Sequence, residues 1–133
     1  EIFMGDGGSL FLGFLISYIG LKLRFESPVS RSFLVPITIC AVAIVDTTVV
    51  VCSRLAKRAS PFQGGQDHLS HRLLKLGLSI PNSVRSIYAL ALIVATISLF
   101  AARSGSFLAW LLLITIWMVL SFIFVCALRV STD

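Results

Sequence analysis

Three groups of polar residues could do chemistry in a chain that is otherwise largely apolar. The first is Phe3-Met4-Gly5-Asp6-Gly7-Gly8-Ser9-Leu10, which sets a carboxylate at the mouth of an apolar run. An ionisable group in such a place is costly and is usually paired or functional. Ser9, Gly13 and Ser17 follow Asp6 at i+3, i+7 and i+11, and Gly20 lies three further on. On a helix they share one face. A stripe of small residues lets another helix pack close, which points Asp6 into a bundle. The glycines beside it, Gly7 among them, permit close backbone approach by a ligand. The plainer alternative is an Asp that caps a helix.

The second group is Ser60-Pro61-Phe62-Gln63-Gly64-Gly65-Gln66-Asp67-His68-Leu69-Ser70-His71-Arg72-Leu73-Leu74-Lys75-Leu76-Gly77. Pro61 and the Gly pair mark a turn. Asp67 is placed to cap a helix and Gly77 to stop it. Leu69, Leu73 and Leu76 fall on one face; His68, His71, Arg72 and Lys75 fall on the other. This reads as a short amphipathic helix lying on the cytoplasmic membrane interface. Two imidazoles and two fixed cations suit a phosphate or diphosphate. Contact with anionic lipid is an alternative. So is a partial zinc site of His68, His71 and Asp67. The third group is Asp46, flanked by Thr47 and Thr48 inside an apolar run. At that depth it should face the bundle interior or be protonated, with pairing to another helix favoured over catalysis and the threonines helping to satisfy it.

The elements that must position these groups follow from composition. Of 133 residues, 57% are hydrophobic and only 13% charged, and the mean hydropathy is +0.98. Too little polar surface remains for a soluble domain, a disordered segment or a nucleic-acid-binding module. The expected fold is an all-α polytopic membrane protein. It has four transmembrane helices, at about 7–25, 33–53, 86–102 and 104–128, with a short amphipathic helix in a cytoplasmic loop, 54–85. That loop carries six basic residues, so the positive-inside rule places it in the cytoplasm, on the same side as Asp6. Cys40, Cys52 and Cys126 lie in apolar runs and read as small buried hydrophobes.

The Phe-Met-Gly-Asp-x-Gly-Ser-Leu stretch at 3–10, with Ser60-Pro61-Phe62 and Asp67-His68-Leu69-Ser70-His71-Arg72-Leu73, resembles a known family. It is that of the polyprenyl-phosphate N-acetylhexosamine-1-phosphate transferases. The resemblance runs from Ile2 to about Ser79. It implies transfer of a sugar-1-phosphate, most simply GlcNAc-1-phosphate, from a UDP-sugar to undecaprenyl or another polyprenyl phosphate, with release of UMP. The setting would be cell-surface glycan synthesis, whether cell wall or lipopolysaccharide, at the cytoplasmic face of a bacterial plasma membrane. The resemblance implies Mg²⁺, or Mn²⁺, at Asp6. It implies catalytic roles for Asp6, His68 and His71, and substrate contacts at Gly7, Ser9 and Arg72.

Two departures stand out. Ser70 occupies the third place of a run that reads His-x-His-His in many members. The family's paired-aspartate motif is absent, since no Asp-Asp occurs. With Glu1 directly before the Met-Gly-Asp motif, the chain reads as a C-terminal fragment of a larger multi-span enzyme. Its partners would then include the missing N-terminal helices. A transporter fragment using Asp46 for ion coupling is the alternative function.

Overall fold

The computed structural model describes residues 5–22, 29–60 and 67–130. The side chains of Asp6 and Ser9, and the turn expected around Pro61 and the Gly64–Gly65 pair, lie outside the described residues. The described chain is all helix: α1 Gly5–Lys22, α2 Val29–Ile39, α3 Ala41–Ala56, α4 Leu69–Lys75, α5 Ile80–Arg103 and α6 Ser106–Arg129.

Helices α5 and α6, 24 residues each, are long and apolar enough to cross a membrane. The expected span at 33–53 is not one straight helix: α2 and α3 meet at a 63° bend and would form a third crossing only together. The bend sits at Cys40, whose ψ of 0° departs from the helical value. Helical hydrogen bonds still run into and out of it, from Cys40 N to the Pro36 carbonyl and from Ile44 N to the Cys40 carbonyl. At the expected 7–25 span, the described apolar stretch Leu10–Lys22 is shorter than a crossing, and residues 23–25 lie outside the described residues.

The expected span at 86–102 also begins early, at Ile80. Pro81 sits in its first turn, where a missing N–H costs nothing. Arg85 is exposed, so the helix runs past the charge that seemed to bound the apolar stretch.

The core is a seam between α3, α5 and α6. Ala41, Val42, Val45 and Val49 form one buried face of α3 and meet Val94 of α5 and Ile116 and Leu120 of α6. Near the α5–α6 turn the seam continues through Ala101, Ala109 and Leu113. Small residues there let the two helices approach closely.

Buried hydroxyls are satisfied locally. Ser98 donates to the Val94 carbonyl at 2.7 Å. Thr38 donates to the Leu34 carbonyl at 2.8 Å and accepts the Trp117 indole N–H at 3.1 Å, tying α2 to α6.

Helix α1 packs on α2 and little else. A Cβ added at Gly20 would stand 3.4 Å from Pro36 Cβ, whereas one at Gly7 or Gly13 would meet nothing within 4 Å. Among the described residues, only the Gly20 end of the small-residue stripe is therefore covered. Of the cysteines, Cys126 is exposed on α6 rather than buried, and Cys40 and Cys52 are half-buried.

Leu120 is 1% exposed and Phe122, two residues on, is 70% exposed. Leu120→Ala should cost about 2–5 kcal/mol. Phe122→Ala should leave the thermal midpoint in detergent nearly unchanged. Equal midpoints for the two variants would contradict this packing.

Candidate functional site

A helix of seven residues has almost no stability of its own. Three side chains, Asp46 and Arg54 of α3 and Arg72 of α4 itself, hold α4 in place.

The first is Asp46 of α3. His68 is the N-cap residue of α4, but its side chain makes no capping bond. Asp46 caps the helix instead: its Oδ1 accepts the Leu69 backbone N–H at 2.6 Å, and its Oδ2 lies 2.9 Å from His68 Nδ1. A carboxylate at a helix N-terminus meets both a free N–H and the positive end of the dipole.

The second is Arg54, whose Nε donates to Asp67 Oδ2 at 2.9 Å. Both side chains are mostly buried, so this pair is screened far less than one on a surface.

The third is Arg72. It is 2% exposed. Its Nε donates to the Asp67 carbonyl at 3.0 Å, and its Nη1 donates to the carbonyls of Ala127 and Val130, each at 2.6 Å. Those carbonyls end α6, where the helix dipole is negative, so the guanidinium also closes that helix. Its Nη2 is buried and has no partner among the described residues.

At the other end, Gly77 adopts φ +92°. Hydrogen bonds from Gly77 N to the Leu74 carbonyl and from Leu78 N to the Leu73 carbonyl complete a Schellman stop.

This arrangement corrects the sequence reading at several points. Arg72 turns inward with Leu69, while Leu76 is 62% exposed. Helix α4 therefore packs on α5 and bonds to α3 and the end of α6, with an inward face set by Leu69 and Arg72 rather than by Leu69, Leu73 and Leu76. Asp67 pairs with Arg54 instead of capping α4 or joining the two histidines. Among the described residues no group of three His, Cys, Asp or Glu could hold a metal, so the zinc alternative has no geometry. Thr47 and Thr48 donate to the Ala43 and Ile44 carbonyls of their own helix, not to Asp46. Asp46 accepts the Leu69 N–H on one oxygen and faces His68 Nδ1 on the other, which is the geometry of a cap rather than of an ion-coupling site.

Among the expected site residues, the structure brings His68 to Asp46. It leaves the His68 side chain about half exposed and His71 and Ser70 half-buried on the same short helix. Gly7 is exposed on the first turn of α1, beside Asp6 and Ser9, whose side chains are not described. Sequence reasoning missed the role of Arg54, which looked like one more loop charge.

The comparisons with known proteins bear on this site. The chain is 36% identical over 127 residues to the probable undecaprenyl-phosphate N-acetylglucosaminyl 1-phosphate transferase of Bacillus subtilis (strain 168), which covers 96% of the chain. It belongs to that family. The undecaprenyl-phosphate alpha-N-acetylglucosaminyl 1-phosphate transferase of Escherichia coli (strain K12) is 27% identical over 86% of the chain. The enzyme of the same name from Pasteurella multocida (strain Pm70) is 30% identical over 74%.

The chain spans about a third of the length of these transferases: 35% of the first, 31% of the second and 28% of the third. No protein-family model and no solved structure matches it. Its apolar helices and these relatives make it a bacterial membrane protein.

The Arg72 clamp can be tested on amide exchange. Arg72→Ala removes charge-assisted bonds worth about 2–3 kcal/mol. It should speed exchange of the Leu73–Leu76 amides roughly 30- to 100-fold. Lys at 72 should not restore protection, since an ammonium cannot span acceptors on two segments as the planar fork does. Unchanged exchange in Arg72→Ala would show that α4 is held by other means.

Proposed function

We propose that this chain is part of an enzyme that transfers a sugar-1-phosphate from a UDP-sugar to a polyprenyl phosphate. The donor is UDP-GlcNAc, the acceptor undecaprenyl phosphate and the leaving product UMP, in a pathway that builds a cell-surface glycan. The observation that carries this reading is the match to enzymes of that name along nearly the whole chain. The pinned helix bearing His68 and His71 supports it chemically.

Such a reaction joins two anions, so the site must offset their repulsion. In this reading His68 and His71 face the diphosphate and sugar from the cytoplasmic side, with Gly7 and Ser9 close to substrate. Lys57, Arg58 and Lys75, all exposed, raise the local anion concentration around α4. Arg72 acts from within, holding α4 to the end of α6. The polyprenyl phosphate reaches the site from the bilayer.

In the proposed topology α1 is the first of four spans and the bent α2–α3 pair the second. The loop that carries α4 lies on the cytoplasmic face, on the same side as Asp6.

Mg²⁺ belongs in this reading at Asp6, where it would supply charge neutralisation to the diphosphate when bound. Mn²⁺ is an acceptable substitute on the same oxygen chemistry. The relatives are about three times as long as this chain, and the paired aspartates of the family belong to that remaining length. The 133 residues alone should therefore be inactive.

In the full-length protein, Asp6→Asn should abolish Mg²⁺-dependent UMP release from UDP-GlcNAc and undecaprenyl phosphate. Chelation with EDTA should do the same to the unaltered protein. Near-normal turnover of Asp6→Asn would remove the metal role. Absence of UMP release from the unaltered full-length protein would remove the transferase reading.

A further inference from the structure

Asp46 does more than fill a cap. Its Oδ1 takes the Leu69 N–H and its Oδ2 faces His68 Nδ1 at 2.9 Å. An ionised carboxylate can only accept, so Nδ1 must carry the proton on that side of the ring. The other ring nitrogen, Nε2, is then the one left to meet a ligand. Its form is set by a residue 22 positions earlier in the chain, on a different helix. The same carboxylate fixes the backbone amide next to the imidazole. Ring orientation and tautomer are therefore fixed from one point. The His68 side chain is about half exposed, so Nδ1 is anchored while the ring remains accessible.

We propose that Asp46 is the positioning residue of the site: it fixes His68 as the Nδ1–H tautomer and presents Nε2 to the donor's diphosphate. This rests on the transferase reading for the identity of the ligand. It does not rest on it for the tautomer. Asp46 touches no substrate; it acts through His68. Carboxylate partners of working imidazoles behave this way in other settings, and their loss costs about 10- to 100-fold or more in function.

The discriminating variant is Asp46→Asn in the full-length enzyme. The Asn carbonyl can still accept the Leu69 N–H, so the cap survives. Its amide would present N–H to Nδ1 and so favour the opposite tautomer. The expected result is a kcat at least about tenfold lower with KM for UDP-GlcNAc changed less than about threefold. Exchange protection of α4 should be retained. In a His68→Gln background the same change should cost less than about twofold, because the partner it positions is gone. An unchanged kcat in Asp46→Asn, or full additivity with His68→Gln, would overturn the proposal.

A second measurement needs neither substrate nor variant. Nitrogen-15 NMR of histidine-labelled protein should show His68 with Nδ1 protonated. A neutral His68 protonated only at Nε2 would overturn the proposal even in an active enzyme. If the unaltered protein transferred nothing from UDP-GlcNAc, the transferase reading would fall, while the NMR result would still decide the tautomer.

Discussion

An isolated two-turn helix in water is mostly unfolded, because it spends chain entropy on very few hydrogen bonds. Helix α4 exists because its unsatisfied ends are met by groups that cannot move away. Asp46 supplies the acceptor at the start, from the middle of α3. Gly77, at φ +92°, turns the chain off the far end at no steric cost. Between them Arg72 reaches past α4 to the last carbonyls of α6. Each bond is worth a kilocalorie or two, and the three act on a segment with little independent stability. The histidines ride on that segment, so their placement depends on these contacts.

The bend at Cys40 bears on the same question. A carboxylate on a straight transmembrane helix, several residues from its end, would sit in hydrocarbon and need pairing there. Here α3 leaves the axis of α2 by 63°, and the loop doubles back so that α4 begins beside Asp46. The side chain is about one-third exposed and doubly bonded. An apparent intramembrane charge is thereby turned into a docking point for a loop. Among the described residues, helix α1 stands apart from this, meeting α2 where Gly20 approaches Pro36.

Much of this was legible in the residues. Composition and run length foretold the all-helical membrane architecture, and α5 and α6 follow it closely. Asp46 was expected to pair with another element, and Gly77 to stop a helix. Three things were not legible. The 63° bend at Cys40 leaves the apolar run uninterrupted, and its one local mark, Pro36 inside α2, does not say how far the chain turns. The face of α4 was assigned by polarity, which fails when an arginine is buried because carbonyls at a helix end can satisfy it. Pairings such as Arg54–Asp67 and Asp46–His68 span 13 and 22 residues, and no periodicity encodes contacts that depend on how a loop returns.

The division of labour within α4 explains how its residues can vary. Asp67, Leu69 and Arg72 face inward and hold the helix, so a change there alters the fold of the loop. His68 has one nitrogen in that framework and one outside it. Ser70 and His71 take no part in the three clamps. A serine in place of an imidazole at 70 therefore leaves Asp46, Arg54 and Arg72 with all their partners. It changes only what the helix offers to a ligand, since a hydroxyl reaches less far than an imidazole and carries no charge. Changes at 70 and 71 can then alter the surface of α4 without cost to the framework, whereas changes at 46, 54 and 72 disturb the side-chain hydrogen bonds that hold it.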